Sequence, residues 1–267
     1  MIASPQQPPS APGVLAIDIG NSRIAIAAVV GQEVFEPQRF RSTAAPELAE
    51  PIARTWARLD ASSRRVVVIG SVVPPILQQV RALVQQRLDQ TPLVVGQDLP
   101  LPMELGIDNP RTVGVDRVCC AAAAYQRLRQ ACVVVDFGTA ITVDCVSDDG
   151  IFLGGAILPG MELAATSLHE HTAALPHVEV RQPEALIGRN TEQAIRSGIF
   201  YGLIGAVREL VERYAAQLGK WPHLVATGGA AEAVAQACRF IDSVVPDLSL
   251  MGIALAYQRH VQGLTQQ

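Results

Sequence analysis

The sequence has no uninterrupted apolar stretch of about 18 residues, the length that a membrane-spanning helix needs. It also has no run of Lys and Arg, and its 267 residues carry a formal net charge of −4, so a nucleic-acid-binding surface is not expected. The 21 basic residues include a single lysine, Lys220. We therefore expect no membrane or nucleic-acid partner, and any phosphate site in this chain has to work without a lysine.

Cysteine is scarce and shows no pairing pattern. The five cysteines have no spacing typical of zinc ligands, which predicts reduced, buried thiols and a cytoplasmic protein. The first 13 residues, Met1 to Gly13, are rich in Pro, Gln, Ser and Ala and lack the charged and apolar regions of a secretion signal. They predict a disordered tail, and the remaining length is enough for one large domain or two of ordinary size.

Several common motifs of nucleotide and hydrolase chemistry are missing. A Walker A loop needs Gly-Lys followed by Ser or Thr, whereas Lys220 is followed by Trp221. Asp136-Phe137-Gly138 lacks the His-Arg-Asp loop and the strand lysine that would make it a protein-kinase triplet. There is no Gly-x-Gly-x-x-Gly after the first strand and no Gly-x-Ser-x-Gly elbow, and His169-Glu170-His171 has the wrong spacing for a two-histidine zinc helix. These classes of enzyme are therefore not expected.

Two segments carry the main functional signal. Leu15–Arg23 and Val133–Asp144 are each a β-branched apolar run that ends in Asp-x-Gly, followed by a small hydroxylated residue and a second apolar run. The runs predict strands, and the glycine permits the tight reversal and close backbone approach that a phosphate needs. Two such turns, about half a chain apart, indicate duplicated halves that hold one nucleotide phosphate tail.

Strand and helix patterns alternate along the chain, which predicts an α/β fold. The spacing of apolar residues predicts helices over 74–88, 115–129 and 190–218, and a last helix over about 246–259. Residues 96–112 are rich in Pro, Gly, Asp and Asn and predict a long loop. Loops of this length in compact domains tend to be functional.

The two turns predict a nucleotide clamp. Backbone N–H groups at residues 20–22 and 138–139 are suited to hold the β- and γ-phosphates. Asp18 is then expected to hold Mg²⁺, directly or through water, because phosphoryl transfer needs its developing charge neutralised. The alternative for Asp18 is a plain turn residue.

A kinase also needs a base for the acceptor hydroxyl. Asp116 stands where the long loop meets a predicted helix, and Arg117 beside it offers a bidentate contact to an anionic substrate. Helix capping also favours a carboxylate in the first helical turn, so both explanations of Asp116 remain open.

Six motifs follow one another along the chain: Asp-x-Gly-Asn-Ser at 18–22, Asn-Pro-x-x-x-Gly-x-Asp-Arg at 109–117, Asp-Phe-Gly-Thr-Ala-x-Thr-x-Asp at 136–144, Gly-Gly-x-Ile-x-Pro-Gly at 154–160, Ile-Gly-x-Asn-Thr at 187–191 and Thr-Gly-Gly at 227–229. Over about residues 14–257 the chain closely resembles type III pantothenate kinases. The resemblance implies the fold shared by acetate and sugar kinases, Hsp70 and actin. In that fold two ribonuclease-H-like halves, expected here at 14–114 and 115–267, surround an ATP cleft.

The resemblance also implies roles for residues that stand in these motifs. ATP contacts are implied for Asp18, Ile19, Gly20, Asn21, Ser22, Arg23, Ile24, Ala25 and Thr139. Pantothenate contacts are implied for Ile107, Gly114, Val115, Asp116, Arg117 and Thr191. Asp116 would be the proton acceptor, and Asp136 would bind the monovalent cation, K⁺ or NH₄⁺, that the family requires. A homodimer with the pantothenate pocket near its interface is implied as well.

Two positions depart from the family pattern. Ser22 stands where threonine is common, which keeps the hydroxyl. Ile107 stands in place of a frequent tyrosine, seven residues before Gly114, that lines the pantothenate pocket. An isoleucine cannot donate the hydrogen bond of a phenol, so details of the pocket are expected to differ.

The residues and the resemblance together predict ATP-dependent phosphorylation of the primary hydroxyl of pantothenate, the first step of coenzyme A synthesis. Asp116 would accept the proton and Mg²⁺ would neutralise the phosphates. The cation at Asp136 would supply part of the positive charge that a lysine gives elsewhere. Two alternatives remain. One is a kinase of the same fold for another small alcohol or sugar, which Ile107 favours; the other is a non-catalytic nucleotide-binding regulator.

Overall fold

The computed structural model describes residues 12–61 and 64–265, so most of the predicted tail lies outside the described residues. The first strand begins at Gly13, the last residue assigned to that tail. None of the helices in the described ranges is long and apolar enough to cross a membrane.

The described residues contain two sheets and helices that pack on them. The strands are β1 (Gly13–Ile19), β2 (Arg23–Val30), β3 (Glu33–Arg41), β4 (Arg65–Ser71), β5 (Leu93–Val94), β6 (Glu104–Leu105), β7 (Cys132–Phe137), β8 (Ala140–Val146), β9 (Ile151–Pro159), β10 (His223–Thr227) and β11 (Ser243–Val244). The α-helices are α1 (Ala49–Arg58), α2 (Pro74–Leu88), α3 (Val115–Leu128), α4 (Met161–Glu170), α5 (Thr191–Leu218), α6 (Ala231–Ala237) and α7 (Leu248–Thr265). Short 3₁₀ segments cover Ser42–Leu48 and Pro110–Thr112.

The chain forms two compact units, each assembled from separate segments. The first contains the described residues of Met1–Pro102, Gly114–Cys119 and Ser249–Gln267, and the second contains Met103–Val113 and Cys120–Leu248. The C-terminal helix α7 therefore belongs almost wholly to the first unit. The division of the chain into halves at residue 114 stays a prediction about domain boundaries.

The first unit is built on a sheet of order β3-β2-β1-β4-β5, in which β1, β2 and β3 are antiparallel and β4 and β5 continue in parallel. Both faces of β1 are buried, which explains its nearly continuous apolar sequence. Leu15 and Ile17 face the cluster that includes residues of α1 and α2. Val14 and Ala16 face the cluster that includes residues of α7. Because side chains alternate along a strand, Asp18 points to the α7 side.

The second unit repeats this arrangement. Its sheet has the order β11-β10-β7-β8-β9-β6, so β9-β8-β7-β10-β11 matches β3-β2-β1-β4-β5 strand for strand. The directions match as well, with β7, β8 and β9 antiparallel and β10 and β11 parallel. The duplication predicted from the two Asp-x-Gly segments is therefore confirmed. Asp18 and Asp136 hold the same place, one residue before the end of β1 and of β7.

Strand β6 is the addition that breaks this equivalence. It lies within the predicted loop over 96–112 and pairs in parallel with β9, through Glu104 with Ile151 and Leu105 with Phe152. The sequence gives no sign of this pairing because two residues are too few for a periodicity, and the partner strand is far along the chain. The prediction of a continuous loop over 96–112 was wrong at these two residues.

Candidate active site

Asp18 lies at the end of β1, partly buried under α7. Its carboxylate accepts a hydrogen bond from the hydroxyl of Ser249, the second residue of α7. Desolvation by the surrounding protein raises the pKa of Asp18 from 3.8 to about 6. The Ser249 hydrogen bond opposes this rise, and the negative charge of Asp116 adds to it. Asp18 and Asp116 are therefore close enough to interact.

Asp116 is the second residue of α3 and is also partly buried. The backbone N–H of Arg117 donates to its Oδ1 at 2.8 Å. A Cβ atom at position 114 would lie only 2.5 Å from the same oxygen, so Gly114 leaves the room in which this carboxylate sits. Desolvation raises the pKa of Asp116, while the Arg117 N–H bond and the Arg117 charge hold it down. A hydrogen bond from an N–H of the first helical turn and a raised pKa are thus both present at Asp116.

Helix α7 fixes the environment of the two carboxylates through direct backbone packing. A Cβ atom on Gly252 would lie 2.0 Å from the carbonyl oxygen of Cys119, so α7 touches the backbone of α3. On its other side, a Cβ atom on Gly70 of β4 would lie 2.7 Å from Ile253 Cδ1. Cys119 is fully buried, and desolvation followed by the charges of Asp18 and Asp116 raises the pKa of its thiol well above the usual range. The pKa of one buried thiol is therefore raised by the charges of both carboxylates.

In the second unit, glycines close the backbone around Asp136. A Cβ atom on Gly228, where φ is +90°, would lie 2.2 Å from Asp136 Oδ1, and one on Gly138 would lie 3.3 Å from it. A Cβ atom on Gly160 would lie 2.3 Å from the carbonyl oxygen of Thr139. The Thr-Gly-Gly and Gly-Gly-x-Ile-x-Pro-Gly motifs thus pack against the Asp136 turn, where Thr139 is exposed. Side chains larger than hydrogen at 160 and 228 would push this turn apart.

The remaining predicted residues also belong to the second unit. Ile107 lies against β9, because a Cβ atom on Gly154, with φ +95°, would meet Ile107 Cγ2 at 3.3 Å. Thr191 is the first residue of α5, and the preceding Asn190 caps this helix by accepting a 2.9 Å hydrogen bond from the Gln193 N–H. The structure therefore divides the predicted residues into two sets. Asp18 to Ala25 and Gly114 to Arg117 lie in the first unit, and the others lie in the second.

The donor set suits a metal that arrives with a nucleotide. Within the described ranges, no group of three or more His, Cys, Asp or Glu side chains is arranged to hold a metal ion. Mg²⁺ keeps several water ligands and is usually held by one or two carboxylates together with substrate phosphates. Asp18, with Asp116 beside it, supplies hard oxygen ligands of this kind, so these residues fit Mg²⁺.

The first unit has a cavity of about 460 Å³ that lies away from the candidate site. Its lining residues are Ala28, Val30, Phe35, Glu36, Thr55, Arg58, Leu59 and Asp60. Ala28 and Val30 pair with Leu15 and Gly13, near the start of β1, whereas Asp18 is near its end. The cavity contains no predicted site residue.

Sequence reasoning missed Ser249 and Gly252, which are more than 200 residues from Asp18 along the chain. The segment does carry a local signal, since Leu248–Met251 begins an apolar helix with a hydroxyl in its first turn. That signal says that a helix starts here, but it does not say which sheet the helix covers.

Replacing the Asp18 carboxylate tests its desolvation. A carboxyl group whose pKa is raised by folding adds stability below about pH 4, and this contribution is lost as the pH rises through about 6. We expect Asp18→Asn to raise the melting temperature at pH 7.5 by about 2–4 °C, the effect of about 1 kcal/mol in a protein of this size, and to give no gain at pH 4.

Scanning calorimetry without nucleotide or Mg²⁺ measures this effect, with Glu47→Gln as the control for an exposed carboxylate of the same unit. A lower melting temperature for Asp18→Asn at both pH values would contradict the desolvation of this group.

Solved structures with a similar fold include kinases. An acetate kinase from Porphyromonas gingivalis is 12% identical and has a TM-score of 0.53, covering 93% of this chain and 99% of its own. A conserved putative Baf family transcriptional activator from Campylobacter jejuni is 19% identical and has a TM-score of 0.59, covering 95% of this chain and 100% of its own. At such identities the likeness concerns the fold alone. It confirms the acetate and sugar kinase fold expected from the sequence.

Similarity in sequence extends over most of the chain. A profile of the family described as Type III pantothenate kinase matches residues 14–213. A type III pantothenate kinase from Dehalococcoides mccartyi (strain CBDB1) is 38% identical over 250 residues, which cover 92% of this chain and 95% of that relative. One from Moorella thermoacetica is 38% identical over 252 residues, with coverage of 92% and 99%. The chain belongs to the type III pantothenate kinase family.

Proposed function

We propose that the protein transfers the γ-phosphoryl group of ATP to the primary hydroxyl of pantothenate, giving 4'-phosphopantothenate and ADP in the first step of coenzyme A synthesis. The sequence relatives above are named for this activity. The observation that carries the proposal is the pairing of Asp18 and Asp116 in one desolvated part of the first unit. Asp18 is suited to bind a metal ion, and Asp116 is suited to accept a proton.

The chemistry assigns each carboxylate a step. The acceptor oxygen bonds to the γ-phosphorus while the bond from that phosphorus to the β–γ bridging oxygen breaks, and ADP leaves. Asp116 takes the hydroxyl proton, and its raised pKa makes it a stronger base than an ordinary aspartate. Asp18 would hold Mg²⁺, which would neutralise charge on the phosphates of bound ATP. A non-catalytic nucleotide-binding protein would have no need of the second carboxylate.

Substrate contacts follow from the motifs. We assign contacts with ATP to the residues from Asp18 through Ala25 and to Thr139. We assign contacts with pantothenate to Ile107, to Gly114 through Arg117 and to Thr191. Arg117 would bind the carboxylate of pantothenate. The packing of Ile107 on Gly154 supports an apolar contact at a position where the family often has a tyrosine.

A monovalent cation, K⁺ or NH₄⁺, is proposed at Asp136. This carboxylate stands one residue before the end of a buried strand, and Gly138 and Gly228 bring the main chain close to it. The carboxylate itself is an oxygen ligand of the kind that hard cations take. The only lysine, Lys220, forms an ion pair with Asp148 and so is already engaged. The cation would supply positive charge beside the phosphates in its place.

A homodimer is proposed from exposed apolar side chains of the second unit. Leu153 and Ile157 both lie in β9 and are 43% and 62% exposed. Ile187, in the loop before α5, is 80% exposed. Large exposed apolar residues of this kind mark interaction surfaces, and a second copy related by a two-fold axis would cover them. None of the five cysteines, all of which lie in the described ranges, forms a disulfide, which supports a cytoplasmic location.

The central test measures ADP release with pantothenate and with a panel of small alcohols and sugars. We expect ADP release when pantothenate is the acceptor and none with the other alcohols and sugars. Asp116→Asn should keep the wild-type affinity for a non-hydrolysable ATP analogue and lower kcat by about 10²- to 10⁴-fold, the usual contribution of a general base. Wild-type turnover in Asp116→Asn would remove this residue from the mechanism, and a better substrate in the panel would overturn the assignment of pantothenate.

The cation proposal is tested by the choice of salt. Rates at equal ionic strength should be high in K⁺ or NH₄⁺ and low in Na⁺ or tetramethylammonium, because the last two are too small or too bulky for such a site. Asp136→Ala should remove this preference and weaken ATP use in every salt. Equal rates in all four salts would contradict the proposal.

The dimer proposal is tested by sedimentation velocity. The wild-type protein should sediment as twice the chain mass of 28.4 kDa at micromolar concentration. Ile157→Glu places a charge on the exposed face of β9 and should shift the protein toward the monomer. Leu264→Glu, at a residue of the first unit that is 63% exposed, serves as the matched control and should stay dimeric. A monomeric wild-type protein with full activity would refute the dimer.

A further inference from the structure

The turn that joins β1 to β2 is held from one side by Ser42, the first residue after β3. The Ser42 hydroxyl donates to the carbonyl oxygen of Gly20 at 2.9 Å. Its backbone N–H donates to the carbonyl oxygen of Ser22 at 3.0 Å. Across the turn, the Gly20 N–H donates to the carbonyl oxygen of Arg23, also at 2.9 Å. Ser42 is itself only 8% exposed, so its hydroxyl has a fixed position.

These hydrogen bonds fix the direction of one peptide group. The described backbone contains no cis peptide bond, and in a planar trans peptide the N–H points opposite to the C=O. Because the Gly20 carbonyl points to the Ser42 hydroxyl, the N–H of Asn21 points away from Ser42. Asn21 and Ser22 are both exposed, whereas Ser42 is buried beneath them. The Asn21 N–H is therefore presented on the outer side of the turn.

The Ser42 hydroxyl holds this peptide through the Gly20 carbonyl oxygen. Glycine permits a wide range of ψ, so the peptide group that follows Gly20 can rotate until its direction is reversed. A reversal would present the Gly20 carbonyl oxygen on the outer side, where it would repel a phosphate. The hydrogen bond from the Ser42 hydroxyl to this carbonyl oxygen opposes the reversal.

We propose that Ser42 is a positioning residue for ATP, whose hydroxyl holds the Gly20–Asn21 peptide so that the Asn21 N–H donates to the β- or γ-phosphate. This rests on the proposed use of ATP as phosphoryl donor. Ser42 does not touch the nucleotide; it acts through the turn.

The test compares nucleotide binding by Ser42→Ala with binding by the wild-type protein, using calorimetry with Mg²⁺. The dissociation constant for a non-hydrolysable ATP analogue should rise about two- to twelvefold, the range expected for one hydrogen bond. The dissociation constant for AMP, which lacks both outer phosphates, should stay the same. In the coupled assay the KM for ATP should rise while kcat and the KM for pantothenate stay within about twofold. Ser42→Thr, which keeps the hydroxyl, should restore ATP binding.

Thr55→Val is the matched control. Thr55 is 3% exposed in the same unit. Its hydroxyl donates to the carbonyl oxygen of Pro51 at 2.9 Å and accepts from the side-chain amide of Gln38 at 3.2 Å, and both partners lie outside the turn. Loss of this hydroxyl should lower the melting temperature as much as Ser42→Ala does and leave the affinity for the ATP analogue unchanged. Ser42→Cys, a weaker donor of similar size, replaces Ser42→Ala if that variant does not fold.

Three results would overturn the proposal. They are unchanged ATP affinity in Ser42→Ala, an equal loss of affinity for ATP and AMP, and an equal loss in Thr55→Val. A wild-type protein that binds the ATP analogue but does not phosphorylate pantothenate would instead refute the proposed function, and the binding comparison would still decide the role of Ser42.

Discussion

Desolvation of two neighbouring carboxylates is the constraint on which the candidate site depends. Asp18 and Asp116 approach each other where β1 ends and α3 begins, and burial raises the pKa of both. Such an arrangement is unfavourable in the absence of a partner, because burial penalises each negative charge and the charge of Asp116 adds to the penalty at Asp18. The Ser249 hydroxyl and the Arg117 N–H offset part of this cost. A cation brought in with the nucleotide would offset more, so ligand binding and the stability of this region are expected to be coupled.

Close backbone packing is what holds the two carboxylates together. Gly252 lets α7 touch the backbone of α3 at Cys119, and Gly114 leaves room for Asp116 Oδ1. Neither glycine has an unusual φ, so their role is to permit close approach. The same device recurs in the second unit, where Gly228 and Gly160 close the chain around Asp136 and Thr139. In the first unit glycines thus set the spacing of α7, α3 and Asp116, and in the second unit they set the spacing of the main chain around Asp136.

The two equivalent aspartates of the duplicated sheets, Asp18 and Asp136, have different surroundings. Asp18 pairs in register with Gly70, whereas Asp136 pairs with Thr227, which is buried. Asp18 receives a side-chain hydroxyl from α7, whereas Asp136 is approached by the glycine that follows β10. Equivalent backbone positions thus carry different surroundings, which agrees with the proposal that one binds Mg²⁺ with the nucleotide and the other a monovalent cation.

Local patterns in the sequence predicted much of the fold. The two Asp-x-Gly strands, α2 over 74–88 and α5 from residue 191 appear where periodicity and turn chemistry place them. The short strand β6 and the return of α7 to the first unit were not predicted. Both depend on pairing or packing between segments far apart in the chain, about which local periodicity carries no information. For the proposed site, motif and turn position predicted Asp18 and Asp116, while Ser42 and Ser249 were missed because only the folded chain brings them to the turn and to the carboxylate.

The most direct test of this account is a ¹³C NMR titration of the aspartate carboxyl groups, with the resonances of Asp18 and Asp116 assigned by Asn substitution. The account predicts a pKa of about 6 for Asp18 in the free protein, a lower value in the Asp116→Asn variant, and a further decrease when Mg²⁺ and a non-hydrolysable ATP analogue are added. An Asp18 pKa near 3.8 that responds neither to the loss of Asp116 nor to Mg²⁺-nucleotide would show that the two carboxylates do not form a coupled site.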